Sequence, residues 1–454
     1  MLKKNQEFEL TIDGMTAQGS GVGHYDGLAV FVANTAEGDR ILCHIIKAKK
    51  NYAVGKVVKI LDPSPDRIES DCPVSDQCGG CCYRQIAYEA ELRIKAQKVQ
   101  DSFTRIGHLE GLSYQPILGC DVREGYRNKA QYPVAAIPGH GPRIGFYAAN
   151  SHRVVEGMDC RLQPPVFAHV LRLIRGWMMQ FGITCYDERY HKGLLRHIYL
   201  RQGIRTGELM VCMVVNGTNL PHSFDLLRLL RDDIEEFRTL IVNYNTKKTN
   251  VILGGEEEVL YGEGFITDIL LGKRFRISPR SFFQVNTLQA EVLYSKAAEL
   301  AQLTPSDTLL DLYCGTGTIG LTMADRVKKL YGAEIVPAAV EDARRNAAAN
   351  GISNAEFLCG DAAEAAAEFR SRGIHPDVIL VDPPRKGLSP ALIQTISEMG
   401  PKRTVYVSCD PATLARDCAR FAELGWRVRT VCPVDMFPRT AHVECVVLMS
   451  KANT

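Results

Sequence analysis

Short apolar runs alternate with amphipathic segments through the last third of the chain, beginning with a helical pattern at Thr287–Ala301. The apolar runs are TLLDLY, KLYGAEI, AEFLCGD, DVILVDPP, TVYVSCD, WRVRTVCPVD and HVECVVLM. Apolar strands separated by helices predict a mostly parallel, seven-stranded sheet covered by crossover helices. No helical segment separates the last two runs, so we expect them to form an antiparallel hairpin at the sheet edge.

The first sixty residues have a different pattern, with short strand-like runs and closely spaced turn signals. Four glycines punctuate the runs, and Asp26-Gly27 is a typical hairpin turn. About five short strands in residues 1–61 predict a small OB-like barrel, a fold that often binds nucleic acid. A barrel that only packs on its neighbour is the alternative.

Between these regions the pattern is mixed. An amphipathic helix is predicted over Gln85–Gly107, and a second over Pro165–Phe181. The strand-like runs HIYLRQ, ELMVCMVVNG, TLIVNYN and VILGG surround the second helix, which indicates an α+β middle domain. We therefore predict an α/β protein with domains at residues 1–61, 62–273 and 274–454.

The composition is that of a globular protein, with 46% hydrophobic and 23% charged residues in 454. No apolar stretch approaches the roughly 20 residues of a membrane-spanning helix, and the first residues lack a signal-peptide core. We expect a cytoplasmic monomer. The net charge of +2 is unevenly distributed: residues 41–61 hold five lysines and no acid, including Lys47, Lys49 and Lys50. These lysines are candidate RNA contacts, unless they only form a solvated face.

A glycine-rich segment follows the first predicted strand of the last domain. In DLYCGTGTIG, Gly315 and Gly317 would let the backbone approach a ligand closely. Glu334 ends the next strand, where an acid accepts hydrogen bonds from ribose hydroxyls. This placement predicts a nucleoside cofactor but does not separate NAD from S-adenosylmethionine (SAM). A structural tight turn is the alternative.

Two later strand ends favour SAM. Asp382-Pro383-Pro384 ends the fourth strand, at the carboxyl edge where open α/β sheets bind ligands. It is similar to the Asp/Asn-Pro-Pro loop of methyltransferases that act on planar nitrogen or base substrates. Asp361 ends the third strand and is expected either near the adenine or as the N-cap of the next helix.

Cys409 ends the fifth strand, just before a helix whose positive end is expected to lower its pKa. A thiolate beside a methyl donor suggests addition to carbon 6 of uracil, which makes carbon 5 nucleophilic. A base must then remove the carbon-5 proton, and Glu444, in an otherwise apolar strand, is the candidate. The alternatives are a core thiol and a paired structural carboxylate.

Five ordered motifs resemble those of the RNA (uracil-5-)-methyltransferases. They are SPRSFFQVN, DLYCGTGTIG, DPPRKG, YVSCDPATLARD and HVECVVLM. The resemblance implies a Rossmann-like SAM methyltransferase domain, with Cys409 as nucleophile and Glu444 as base. It further implies that SAM is bound by Gln284, Tyr313, Glu334 and Asp382. Gln284 is predicted from the resemblance alone, because its segment otherwise has the pattern of a strand leading into a helix.

A cysteine cluster, Cys72-x5-Cys78-x2-Cys81, needs a fourth ligand, for which Cys160 is the candidate. Four thiolates could hold zinc or an iron–sulfur cluster, and the spacing does not decide. The resemblance implies [4Fe-4S], since members of the ribosomal-RNA branch have this pattern. Cys82 is an adjacent competing thiol. The resemblance also implies that the front barrel is a TRAM domain and that the segment near 85–116 packs on the catalytic domain.

The expected activity is SAM-dependent formation of 5-methyluridine in 23S ribosomal RNA, with the target base flipped out. The same reaction on transfer RNA is the first alternative. An RNA-binding relative without activity is a second, and intact Cys409, Asp382 and Glu444 argue against it. A 5-methylcytosine enzyme is a third, disfavoured because Cys409 is not preceded by proline.

Overall fold

The computed structural model describes residues 2–137 and 139–451. The N-terminal part is a six-stranded sheet, one strand more than predicted, in the order β1-β5-β6-β4-β3-β2. Alternate side chains point inward, among them Val30, Val32, Ile41 and Cys43, and β1 also contacts β3 as the sheet curls. The strands are β1 (Glu7–Thr11), β2 (Gly14–Met15), β3 (Gly21–Tyr25), β4 (Leu28–Val32), β5 (Arg40–Ala48) and β6 (Tyr52–Asp62).

The middle part is a seven-stranded mixed sheet in the order β13-β12-β11-β10-β7-β8-β9. Helices α2 and α3 cover the face that carries Ile198, Val211 and Leu240. The elements from residue 88 to 261 are α1 (Tyr88–Arg105), β7 (Lys129–Ile137), β8 (Gly141–Tyr147), β9 (Val154–Glu156), α2 (Pro165–Phe181), β10 (Leu195–Gln202), β11 (Leu209–Val215), α3 (Ser223–Asp233), β12 (Phe237–Tyr244) and β13 (Glu256–Tyr261).

Two predictions for this middle part were wrong. A third helix, α3, was missed, although its apolar positions have helical spacing. The run VILGG is a loop rather than a strand, because the amide of Asn245 donates to the carbonyls of Val251 and Ile252. The edge strand β13 instead starts at the acidic run Glu256-Glu257-Glu258.

The last part is a seven-stranded sheet in the order β18-β17-β16-β19-β20-β22-β21. All strands are parallel except β22, which pairs antiparallel with both β20 and β21. The elements are a hairpin, β14 (Ile266–Leu270) and β15 (Lys273–Ile277), then α4 (Thr287–Ala301), β16 (Thr308–Leu312), α5 (Thr318–Met323), β17 (Lys329–Glu334), α6 (Pro337–Ala349), β18 (Ala355–Cys359), α7 (Ala362–Ser371), β19 (Val378–Val381), α8 (Pro390–Met399), β20 (Arg403–Ser408), α9 (Pro411–Glu423), β21 (Trp426–Val434) and β22 (Glu444–Lys451).

This architecture confirms the predicted fold class and the antiparallel hairpin at the edge of a parallel sheet. The strands β16, β19 and β20 are buried on both faces, which explains their continuous apolar runs. Their carboxyl ends lie side by side, because neighbouring parallel strands run in register.

Helix α1 lies far in sequence from the C-terminal, catalytic sheet (β16–β22) but packs against it. Val99 and Phe103 are fully buried in the same core as Leu414 and Cys418 of α9. Helix α1 therefore joins the chain between the barrel and the middle sheet to the catalytic sheet. Within residues 2–137 and 139–451, none of the helices is long and apolar enough to cross a membrane.

Candidate active site

The carboxyl ends of the parallel strands open into a cavity of about 1060 Å³. Most of the predicted SAM and catalytic residues line this cavity: Gln284, Tyr313, Gly315, Glu334, Asp361, Asp382, Cys409 and Glu444. Gly317 lies behind the loop instead, and its φ of 81° is one that L side chains rarely adopt. A Cβ there would approach the Leu321 side chain at 2.8 Å, so this glycine serves close packing of the loop on α5.

The glycine-rich loop is held by two carboxyl groups. Glu334 accepts hydrogen bonds from the backbone N–H groups of Gly315 at 3.2 Å and Val336 at 2.9 Å. Asp311 accepts from the Gly320 N–H at 3.0 Å, while its other oxygen is buried without a partner. At Gly315, φ is 55° and an added Cβ would meet nothing within 4 Å. The loop is therefore fixed from behind and open toward the cavity, as a cradle for a nucleoside ligand requires.

Asp361 is a helix cap that also lies in the cavity wall. Its side chain accepts a hydrogen bond from Ala363 N–H at 2.9 Å, which makes it the N-cap of α7. It also lines the cavity. An N-cap uses one carboxylate oxygen, so the other is available to a ligand.

Gln284 lies in an irregular segment rather than in the strand that its pattern suggested. Two buried side chains from the middle sheet hold this segment. Arg201 donates to the carbonyls of Ser281 at 2.8 Å and Phe283 at 3.3 Å, and Asn128 donates to the carbonyl of Gln284 at 2.9 Å. Sequence reasoning missed both residues, because they lie about 80 or more positions from their partners in the chain.

Cys409 follows β20, one residue before the N-cap of α9. The N-cap is Asp410, whose side chain accepts from the N–H groups of Ala412 and Thr413. The prediction of a lowered thiol pKa was wrong: burial, then the Glu444 and Asp382 carboxyls, raise the pKa of Cys409 to about 11. Arg385 opposes this shift through its charge and a hydrogen bond. Burial and the two acids thus decide the direction of the Cys409 pKa shift.

Glu444 begins β22 beside Cys409 and is only 4% exposed. Burial, with a further contribution from Asp382, raises its pKa well above the ordinary value, as expected for a carboxyl in an apolar strand. Burial also raises the pKa of Asp382 to about 7 and that of Asp311 to about 8. Several partly uncompensated acids at one sheet edge favour a bound cation. The sulfonium of SAM has the charge that fits this edge.

Another part of the same cavity wall carries Cys72, Cys78, Cys81 and Cys160. Burial raises the pKa of Cys81 to about 12; the charge of Arg84 lowers it, while Cys160 and Cys78 raise it further. The four cysteines therefore share one part of the cavity wall. Even so, the described residues contain no group of three or more His, Cys, Asp or Glu side chains arranged to hold a metal ion.

Cys82 points away from this group. A Cβ on Gly19 would lie 2.5 Å from the Cys82 sulfur, so the thiol packs against the barrel. The cysteine wall is instead braced by ion pairs between residues adjacent to its thiols. Asp71 pairs with Arg84 at 2.9 Å and with Arg161 at 3.1 Å, and Glu124 pairs with Arg161 at 2.8 Å.

The loop, the acid that ends β17 and the Asp-Pro-Pro turn after β19 define a SAM-dependent methyltransferase of the doubly wound class. A family model described as tRNA (Uracil-5-)-methyltransferase matches residues 270–452, and a TRAM domain model matches residues 2–58. Together with the full-length relatives below, these matches show that the chain belongs to the RNA uracil-5-methyltransferase family.

Two of the relatives are RNA methyltransferases described as uncharacterized. The one from Halalkalibacterium halodurans is 43% identical, over 100% of this chain and 98% of its own length. The one from Clostridium tetani is 42% identical, over 99% of this chain and 97% of its own length. Among solved structures, the tRNA (uracil-54, C5)-methyltransferase of Pyrococcus abyssi in complex with S-adenosyl-L-homocysteine has a TM-score of 0.79 and 28% identity. The structural similarity covers 97% of this chain and 99% of the Pyrococcus abyssi chain.

Proposed function

We propose that this protein transfers a methyl group from SAM to carbon 5 of a uridine in 23S ribosomal RNA, giving 5-methyluridine. The observation that carries the proposal is the meeting of Cys409, Asp382 and buried Glu444 in one cavity with the glycine-rich loop. A thiol, a raised-pKa carboxyl and a nucleoside cradle are the three groups that methylation at carbon 5 requires.

In this proposal Cys409, as the thiolate, adds to carbon 6 of the uracil and forms a carbon–sulfur bond. The electron pair displaced from the ring makes carbon 5 nucleophilic. Carbon 5 then takes the methyl group that SAM would supply, and the electron pair of the broken methyl–sulfur bond stays on sulfur in the S-adenosylhomocysteine that leaves. Glu444 then removes the remaining proton from carbon 5. The electrons of that C–H bond restore the ring double bond and expel the Cys409 sulfur. Arg385, which lowers the pKa of the thiol, favours the attacking thiolate.

The SAM site of the proposal consists of Gln284, Tyr313, Gly315, Glu334, Asp361 and Asp382, with Gly317 packing behind the loop. The cavity volume of about 1060 Å³ exceeds the usual 300–1,000 Å³ of a small-molecule pocket. That volume has room for a nucleoside cofactor and an extruded base together. A uracil stacked in RNA cannot present its faces to both the Cys409 thiolate and the sulfonium of SAM. We therefore propose that the target base is flipped out.

The choice of ribosomal RNA rests on the TRAM barrel and on the cysteine wall, a combination typical of the ribosomal-RNA branch of the family. Lys47, Lys49 and Lys50 are exposed on the barrel and are proposed to contact the RNA backbone. Such an enzyme would work in the cytoplasm as a monomer. Transfer RNA is the second candidate substrate, since the Pyrococcus abyssi structure resembles this chain over nearly its full length.

The substrate is tested by incubating the protein with radiolabelled SAM and either purified 23S ribosomal RNA or bulk transfer RNA, both lacking 5-methyluridine. We expect label in the ribosomal RNA, recovered as 5-methyluridine after digestion to nucleosides. Label confined to transfer RNA would show that transfer RNA is the substrate and would leave the proposed chemistry unchanged. Label in another nucleoside, such as 5-methylcytidine, would contradict the proposed reaction.

We further propose that Cys72, Cys78, Cys81 and Cys160 hold a [4Fe-4S] cluster. Thiolates are the ligands such clusters need, and all four thiols face one cavity. Arg84 is 3% exposed and its Nε has no hydrogen-bond partner, so a buried positive charge lies beside the thiols. The proposed chemistry contains no redox step, and the cluster would have a structural or RNA-binding role.

Protein purified without oxygen is therefore expected to be brown, with a broad visible absorption shoulder and about four iron atoms per chain. Replacing Cys81 by serine should remove the colour, whereas Cys82→Ser should keep it, because Cys82 packs against the barrel. Colourless wild-type protein with stoichiometric zinc would contradict the assignment.

A further inference from the structure

The connection between β21 and β22 forms the part of the cavity wall that precedes the proposed base. Phe437, Thr440 and His442 all line the cavity, and Glu444 is the first residue of β22. The connection has no regular secondary structure, and Arg439 has a φ of 72°, in the left-handed region that non-glycine residues rarely adopt. Its shape must therefore be imposed by contacts from outside.

Several of these contacts come from helix α1, more than 300 residues earlier in the chain. Lys95 donates to the Asp435 carboxylate at 2.6 Å and to the carbonyl of Phe437 at 3.1 Å. Tyr88 donates to the second Asp435 oxygen at 2.7 Å. Glu91 accepts from the backbone N–H of Arg439 at 2.7 Å, which holds the left-handed residue directly.

Lys95 is the centre of this network. Its ammonium also donates to Glu91 at 2.7 Å, and the Lys95, Glu91 and Asp435 side chains are all fully buried. The second Glu91 oxygen has no hydrogen-bond partner and lies 3.7 Å from Arg439. One ammonium thus serves both buried carboxylates, and of the two only Glu91 has a second cation, Arg439, at ion-pair distance among the described residues. Buried charges that lose their partner move or take up protons.

None of these three side chains lines the cavity, and their direct contact with the cavity wall is through the connection. The network contacts Phe437 and Arg439, which precede Glu444 in the chain. Cys409 and the glycine-rich loop, in contrast, are fixed by β20, α9, β16 and β17. Disturbing the network should therefore impair proton removal by Glu444 more than thiol addition or methyl transfer.

We propose that Lys95 is a positioning residue for Glu444, acting through Asp435 and the connection between β21 and β22. The proposal rests on the proposed function, in which Glu444 removes the carbon-5 proton. A lysine on the helix that joins the N-terminal regions to the catalytic sheet would then set the rate at which the methylated RNA is released.

The test compares Lys95→Met with a matched control, Arg403→Met. Arg403 also makes a half-buried ion pair in the catalytic sheet, with Asp307 at 3.2 Å, but at the opposite end of β20 from Cys409. Single-turnover methyl transfer and release of the covalent protein–RNA conjugate are measured separately with labelled SAM. For Lys95→Met we expect release about tenfold slower, with methyl transfer within about threefold of wild type. Arg403→Met should lose stability but keep the wild-type ratio of the two rates.

Tyr88→Phe provides a second variant that leaves every charge paired, in case Lys95→Met does not fold. It removes the hydrogen bond that the Tyr88 hydroxyl donates to Asp435 and the one that it accepts from Cys120 N–H, and should slow release about threefold. Wild-type release rates in both variants, or an equal slowing of both steps in Lys95→Met and Arg403→Met, would overturn the proposal. Absence of any conjugate in wild-type protein and in Glu444→Gln would contradict the proposed function itself, which separates the two failures.

Discussion

Cys409→Ala is expected to abolish methyl transfer, with a loss of at least about four orders of magnitude in turnover. The sulfur is the proposed nucleophile, and without addition to carbon 6 the carbon-5 position has no driving force to attack a methyl donor. The variant should still bind RNA and SAM, because its backbone is fixed by β20 and by the Asp410 N-cap. No covalent conjugate should appear after denaturing electrophoresis.

The control for this experiment is Cys359→Ala. Cys359 is an exposed thiol at the end of β18, on the same sheet edge but outside the cavity lining. It should react with alkylating reagents yet leave turnover unchanged. Substantial methylation by Cys409→Ala would show that uracil is activated without this thiol.

Glu444→Gln is expected to fail at a later step than Cys409→Ala. Glutamine keeps the shape of the side chain but cannot accept the carbon-5 proton, so turnover should fall by about two to four orders of magnitude. Thiol addition and methyl transfer should still occur. Stalled enzyme should therefore survive denaturing electrophoresis as a protein–RNA conjugate that already carries the labelled methyl group.

The control for Glu444→Gln removes the negative charge of an exposed glutamate outside the site. Glu398 pairs with Arg370 on the helical surface, and Glu398→Gln should turn over normally. If Glu444→Gln turned over at the wild-type rate without a trapped conjugate, Glu444 would not be the base. Asp382, whose pKa is raised to about 7 by burial, or a bound water would then be the next candidate.

The catalytic sheet could be predicted from the sequence because its signals are local. Strands buried on both faces give continuous apolar runs, and the glycine-rich segment and the Asp-Pro-Pro turn mark their ends. The middle sheet was harder to predict. Asn245 holds VILGG in a loop through side-chain hydrogen bonds, which no pattern of apolar positions indicates.

The pKa values in the site depend on contacts between distant parts of the chain, which local sequence patterns do not reveal. A helix N-terminus after Cys409 suggested a low thiol pKa, but burial raises that pKa, and Glu444 and Asp382 on neighbouring strands raise it further. The support of Gln284 by Arg201 and that of the β21–β22 connection by Lys95 also join distant parts of the chain. Such pairs become visible only once the topology is known.

Helix α1 makes the catalytic sheet dependent on residues encoded far upstream of it. Val99 and Phe103 complete the core between α9 and β21, so an excised C-terminal fragment would expose an apolar face to water. The enzyme is therefore not a barrel followed by an independent, exchangeable catalytic unit. A recombinant that replaced the N-terminal half would have to keep α1 and the surface on which α1 packs. This requirement restricts which RNA-binding domains can be fused to this catalytic sheet.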